Sequence, residues 1–227
     1  MIPLNLTNKT QRHDFYHLLF TNLVFVVISL FFIPFLPTTA QFEWLGTTVE
    51  YSAILATISV PVIVGLGSIG VWWLIRSDTH PYVRNRRVYR NLTMMMIVAF
   101  NAIGFYTALQ TVGVFLPFEQ TVLITSGLLI MFVGNVWPKL KPNYVVGIRN
   151  PFTLADDIVW IKTHQFAGYL YLFIGLALLI SLSLTAVVQL IIGLVSVLLL
   201  IIAPFIYSLR KYRQRQKNRI VEQHVED

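Results

Sequence analysis

Six apolar runs joined by short loops constrain this chain more than any other feature. They lie at roughly residues 17–36, 52–75, 92–113, 119–137, 165–185 and 187–209. A bilayer-crossing helix needs about 20 predominantly apolar residues, so each run is long enough, or nearly so, to span. Backbone N–H and C=O groups in hydrocarbon must be satisfied within the segment, which selects helices for runs of this kind. The expected fold class is therefore all-α: a polytopic integral membrane protein with about six transmembrane helices. No soluble domain fits between the runs. A brief interruption at Thr185–Val188 makes the last two a tight helical hairpin. Thr38 and Ala40 look like a small-residue cleavage site after the first run. That run exceeds the 7–15 apolar residues of a signal peptide, so a retained helix is expected.

Charge orients the array. Only 12% of residues are charged, against roughly 25% in soluble domains. The 17 Lys and Arg residues are not spread evenly. Lys9 and Arg12 precede the first run. Arg76, Arg84, Arg86, Arg87 and Arg90 separate the second from the third. Lys139, Lys141, Arg149 and Lys162 separate the fourth from the fifth. Arg210, Lys211, Arg213, Arg215, Lys217 and Arg219 follow the sixth. The loops at 37–51, 114–118 and around 186 hold none. Basic loops stay on the cytoplasmic side, so both termini are expected there. The same pattern accounts for the net charge of +7. It serves orientation and contact with anionic lipid rather than direct nucleic-acid binding.

Several local patterns fail their context. GLGSIG, with Gly65, Gly67 and Gly70, matches the dinucleotide fingerprint in letters. That motif needs a strand before it and a helix after it. Here it sits inside an apolar run, where small residues permit close helix packing. Three Asn-x-Thr sequons at Asn5, Asn8 and Asn91 fall on the expected cytoplasmic side. His13 and His17 stand at the i,i+4 spacing of some metal sites, with no third ligand evident; an interfacial helix carrying two histidines explains them. Asp156 and Asp157 suit the first turn of a helix, where carboxylates complement its dipole. There is no cysteine, which excludes disulfides and thiolate chemistry. Neither a metal nor a cofactor is implied, and no catalytic residue is assigned.

One stretch resists the bland reading: GNVWPKLKPNYVVGIRNPFTLADDIVWIKTHQFAG, residues 134–168. Pro138 and Pro142 stop a regular helix. Asn143 suits a side-chain turn. Gly147 allows positive φ or close approach. Pro151 pushes Asn150 into an extended conformation. Thr153 then reads as a helix N-cap, with Asp156 three residues on in the manner of a capping box. Leu154, Ile158 and Ile161, with Trp160 beside them, describe a short amphipathic helix at the cytoplasmic interface. Arg149 has two readings. As a staple, it ties the loop to helix ends, for example to the side-chain oxygen of Asn135. As a functional group, it lines a polar recess with Asn135, Asn143, Thr163 and His164.

These residues also carry a resemblance. Asn135, Asn143, Gly147-Ile148-Arg149, Pro151-Phe152-Thr153-Leu154, Trp160, Thr163-His164 and Gly168 are similar to the signature of the SdpI family, close to GN…N…G-[IL]-R-[ST]-P-W-T-L…VW…T-H-R…G. The match covers roughly residues 115–209. Phe152 stands where the family has Trp, and Asn150 where a small hydroxyl residue is common. Gln165 replaces a basic residue after the histidine. A weaker likeness lies upstream: Leu36-Pro37 followed by Trp44 and Gly46 resembles an LP-x6-W-x-G loop after the first helix of many members. The chain then divides into a transmembrane region at 1–113, an SdpI-like module at 114–209 and a basic cytoplasmic tail at 210–227.

The resemblance implies a multi-pass protein of the bacterial cell membrane. It implies immunity, or resistance, to a secreted membrane-active peptide of the bacteriocin kind. It further implies a possible signalling role, in which a small cytoplasmic repressor protein is held at the membrane. Glu43, Trp44 and Glu50, in the loop at 37–51, are expected as a first contact for a cationic toxin. Two alternatives stay open from the residues alone. A small-solute transporter or permease would use the recess around Arg149. A membrane enzyme would use His164, although no nucleophile or orienting carboxylate accompanies it.

Overall fold

The computed structural model describes residues 4–44, 47–76, 82–104 and 118–226. The chain is helical almost throughout. Helix α1 runs Leu4–Phe32, α2 Ala53–Arg76, α3 Tyr82–Gly104 and α4 Phe118–Val136. A five-residue helix α5 (Pro151–Ala155) leads into α6 (Asp157–Ile180), and α7 (Ala186–Glu226) ends the chain. Among the described residues, five helices are long and apolar enough to cross a membrane: all of these except α3 and α5. The third apolar run, 92–113, occupies the second half of α3 and continues past Gly104 into residues outside the described set.

The expected spans coincide with α1, α2, α4, α6 and α7. Two boundaries differ. Helix α3 begins at Tyr82, so its basic first half is helix and not loop. Helix α7 has 41 residues, about 61 Å at 1.5 Å per residue, twice the roughly 30 Å of hydrocarbon. It passes without a break through residue 209, so the basic segment expected as a tail is the end of a helix. The loop at 37–51 also differs. It forms an antiparallel hairpin of β1 (Thr39–Trp44) and β2 (Thr47–Ser52), in register from Thr39 opposite Ser52 to Trp44 opposite Thr47. Thr, Val, Tyr, Phe and Trp favour strands, and no apolar face here is long enough to hold a helix in lipid.

Polar contacts hold the first three helices at defined points. The Asp14 carboxylate, 1% exposed at its side chain, accepts from Arg86 Nε at 2.7 Å and Nη2 at 3.1 Å, with Arg90 at 3.6 Å. A paired, hydrogen-bonded carboxylate is the form in which burial is tolerated. Asn22 Nδ2 donates to the Pro61 carbonyl at 3.1 Å. A Cβ on Gly65 would lie 2.4 Å from that same nitrogen. Gly65 therefore lets α1 approach α2, as small residues do in membranes, whereas Gly67 and Gly70 face open space.

The second half packs more closely. Helices α4 and α6 meet through two glycine pairs at heptad spacing, Gly127 against Gly175 and Gly134 against Gly168. A Cβ on Gly134 would sit 2.8 Å from the Gly168 carbonyl oxygen, and one on Gly175 would sit 2.6 Å from that of Gly127. Backbone lies against backbone at both levels. Tyr171, whose Cβ also lies against Gly134, donates from its Oη to the Leu200 carbonyl at 3.0 Å and joins α7 to the pair.

Candidate functional site

Residues 137–150 fold back over the start of α6 and are fixed there from three sides. A 3-10 turn at Trp137–Lys139 ends α4. Asn143 then makes the expected side-chain turn: its Oδ1 accepts from the Val145 and Val146 amides at 2.9 and 2.7 Å. Asn85 on α3 grips the same loop through one peptide. It donates to the Lys141 carbonyl at 3.1 Å and accepts from the Lys141 amide at 2.9 Å. Nothing in the sequence singled out Asn85, because its partner is backbone and lies 56 residues away.

His164 is the centre of this fold-back. Its ring stacks on Trp160 at 4.3 Å and meets Trp137 edge-on at 5.7 Å. Nδ1 lies 2.9 Å from the Trp160 carbonyl, and Nε2 accepts from the Ile148 amide at 3.0 Å. A carbonyl only accepts and a backbone N–H only donates. The two partners together therefore set the neutral, Nδ1-protonated ring. Both nitrogens are engaged, so no lone pair is left to act as a base. Trp160 Nε1 donates to the Leu140 carbonyl at 3.1 Å. Gly147 completes the layer with φ of +128°. A Cβ there would lie 2.6 Å from His164 Nε2 and 3.0 Å from Trp160.

The helix starts differ from expectation by one turn. Asn150, not Thr153, is the N-cap of α5: its Oδ1 accepts from the Phe152 and Thr153 amides at 3.1 and 3.0 Å. Thr153 is the third helical residue and closes the box, its Oγ1 accepting from the Asn150 amide at 3.0 Å. Pro151 occupies the first helical position, where a missing N–H costs nothing. The amphipathic helix expected across 153–161 is instead two helices, broken at Asp156, which caps α6 through Ile158 and Val159. Asp156 is extended, with φ of −149° and ψ of 119°, and one helix cannot pass through that conformation.

Two ties reach α7. Asn150 Nδ2 donates to Ser208 Oγ at 2.8 Å, and Phe152 packs on Phe205 and Tyr212 with centroids 5.7 and 5.6 Å away. Asp156 Oδ2 accepts from Arg219 Nη2 at 2.8 Å, with Arg215 Nε at 3.5 Å. Burial alone pushes the Asp156 carboxyl up. The Val159 and Ile158 amides and the Arg215 and Arg219 guanidiniums outweigh it, so it titrates below the usual carboxylate range. Its contribution is therefore present above that range and lost as pH falls through the lowered value. Asp156→Asn keeps a cap acceptor and loses the charge, an expected cost of about 0.5 kcal/mol for such partly exposed arginines. Asp156→Ala also loses the cap, about 1 kcal/mol more. Thermal unfolding in detergent separates the two; equal midpoints for both variants would contradict the dual role.

Arg149 and Asn135 lie elsewhere. Arg149 is exposed, and among the described residues it makes no hydrogen bond or ion pair. Asn135 is exposed too, and its Oδ1 accepts from Lys139 Nζ at 3.2 Å. The expected staple between them is not made. The recess expected from Arg149, Asn135, Asn143, Thr163 and His164 is not formed either. Asn143, Thr163 and His164 are buried in the packed layer while the other two face outward. Among the described residues the Thr163 hydroxyl has no hydrogen-bond partner, and Gly168 serves the α4 contact. Glu50 is exposed on β2 and accepts from Gln41. The side chains of Glu43 and Trp44 lie outside the described residues.

Residues 139–208 match the model of the SdpI/YfhL protein family. That match begins at the fold-back and ends at Ser208, the residue that Asn150 reaches. The immunity protein SdpI of Bacillus subtilis (strain 168) is 21% identical over 193 residues, covering 84% of this chain and 92% of that protein. No solved structure matches.

Proposed function

We propose that this chain belongs to the SdpI family and is an immunity protein, protecting its cell from a secreted, membrane-active peptide. The observation that carries the reading is the likeness to a named immunity protein along 92% of that protein's length. At 84% of this chain, the likeness extends well beyond the 139–208 segment. The relationship supports an immunity role; the peptide, and signalling through a cytoplasmic repressor, are the finer parts of the proposal. The structure supplies a fitting surface. A groove of about 340 Å³ runs between α4 and α7, with Leu178 of α6 among its lining residues. Its walls are apolar apart from Glu119, Ser126, Gln189 and Ser196, as suits a helix laid into a groove.

Expression in a sensitive host is expected to preserve membrane potential when the producing strain's peptides are added. Collapse at the same dose as in cells without the protein would sink the immunity reading. Proteoliposome flux of small solutes is then the next measurement. The orientation, with both termini cytoplasmic and the β-hairpin outside, rests on the distribution of Lys and Arg. Because the chain has no cysteine, it can be tested directly. In intact cells Thr48→Cys is expected to react with an impermeant maleimide and Lys217→Cys is not. The reverse pattern would invert the protein.

A further inference from the structure

The cytoplasmic ends of α6 and α7 enclose a second site, distinct from the fold-back. A cavity of about 200 Å³ opens between the first turns of α6 and the stretch of α7 from Lys211 to Asn218. Lys162 lines it from α6, and Lys211 and Arg215 from α7. Gln214 and Asn218 add amide groups beside them, and Ile158 and Val159 form an apolar wall.

The charge in this cavity is not balanced. Asp156 is the carboxylate at its edge, and it is shared between Arg215 and Arg219. Asp157, next in the chain, is exposed and in no ion pair among the described residues. Lys162 and Lys211 form no ion pair among those residues either; Lys211 Nζ donates only to Gln214 Oε1, at 3.1 Å. Arg215 Nε is shielded from solvent and makes no hydrogen bond among the described residues, although Asp156 lies 3.5 Å away. A donor shielded from water and without a hydrogen-bond acceptor is costly unless a ligand supplies one.

Position and size narrow the ligand. The spans of α6 and α7 are Asp157–Ser183 and Ala186–Arg219, so the cavity stands where these helices leave the hydrocarbon on the basic side. It is smaller than the roughly 300–1,000 Å³ of sites for drug-sized molecules. Three cations around a small cavity suit a phosphate oxygen set, and basic pockets between membrane helices on this face take lipid head groups. We infer that the cavity binds the phosphate of an anionic phospholipid from the cytoplasmic leaflet.

Native mass spectrometry of the full chain released from detergent tests this, with phosphatidylglycerol and phosphatidylcholine supplied in equal amounts. The wild type is expected to retain phosphatidylglycerol preferentially. Lys162→Gln combined with Lys211→Gln is expected to weaken that binding about 30-fold, and the two arginine substitutions at the same positions to restore it. Lys139→Gln combined with Lys217→Gln removes the same charge elsewhere and is expected to leave binding unchanged. An equal loss in that control would overturn the site in favour of general surface attraction. Retention by the double glutamine variant would overturn it outright. A parallel arm adds inorganic phosphate and follows thermal unfolding. Stabilisation by phosphate but not by phosphatidylglycerol, lost in the glutamine variant, would overturn the lipid as the source.

Discussion

Gly168→Leu is expected to remove most folded protein from the membrane, and protection with it. The residue faces the Gly134 carbonyl oxygen on α4, and even a Cβ at Gly168 would lie 2.8 Å from that atom and 2.6 Å from Pro138 Cγ. One obstacle is backbone and the other is the rigid ring that closes the turn after α4. Neither can swing aside as a flexible side chain would, so the helices must separate. Overpacking a core typically costs 1–3 kcal/mol, and here about 3 kcal/mol or more is expected. Separation would also lift His164 and Trp160, only one and two turns back along α6, from the loop they hold. Gly193→Ala on α7 is the matched control, because nothing lies within 4 Å of the added carbon. Its membrane level and thermal midpoint are expected to equal or slightly exceed those of the wild type. Membrane levels and thermal midpoints in detergent measure both. Wild-type levels of Gly168→Leu would mean that α4 and α6 do not pack through these glycines.

What the sequence disclosed follows from the physics of each signal. Five of the six expected spans were legible because a bilayer imposes a length and a polarity on every crossing segment. Gly147 was legible as a special backbone position, and Asn143 as a turn, because each effect is local. The helix start was misplaced by three residues because Asn150 and Thr153 are both good caps, and Pro151 between them favours the first. Asp14, Asn85 and Ser208 were missed for a common reason: each meets a partner more than 50 residues away, and nothing local marks the pairing. Gly134 and Gly168 stood at the two ends of the informative stretch, yet their packing against each other belongs to tertiary structure. Arg149 was misjudged in the opposite direction. An arginine between glycine and proline suggests a staple, but Ile148 uses its backbone on either side, N–H to His164 and carbonyl to Thr153. The loop is closed without the guanidinium.

That closure makes Gly147, His164 and Arg149 a discriminating set. Gly147→Ala places a carbon 2.6 Å from His164 Nε2 at a φ of +128°, and strain plus collision are expected to cost about 3 kcal/mol. His164→Ala leaves the Ile148 amide without its acceptor and a void against Trp160, again about 3 kcal/mol. Both variants should lower the folded level and lose protection together. Arg149→Ala removes an exposed side chain, and its effect on stability is expected within about 0.5 kcal/mol. The loop would stay folded. A wild-type level of Arg149→Ala with lost protection would therefore identify Arg149 as a contact for a partner outside the fold, on the basic face of the membrane. Full protection would leave the arginine to orientation alone, as one of the basic charges on which the proposed cytoplasmic placement rests. A destabilised Arg149→Ala, falling as far as Gly147→Ala, would contradict the exposed placement itself. Because the three residues lie within 18 positions of one another, only this separation of level from protection can tell the scaffold of the loop from the surface it presents.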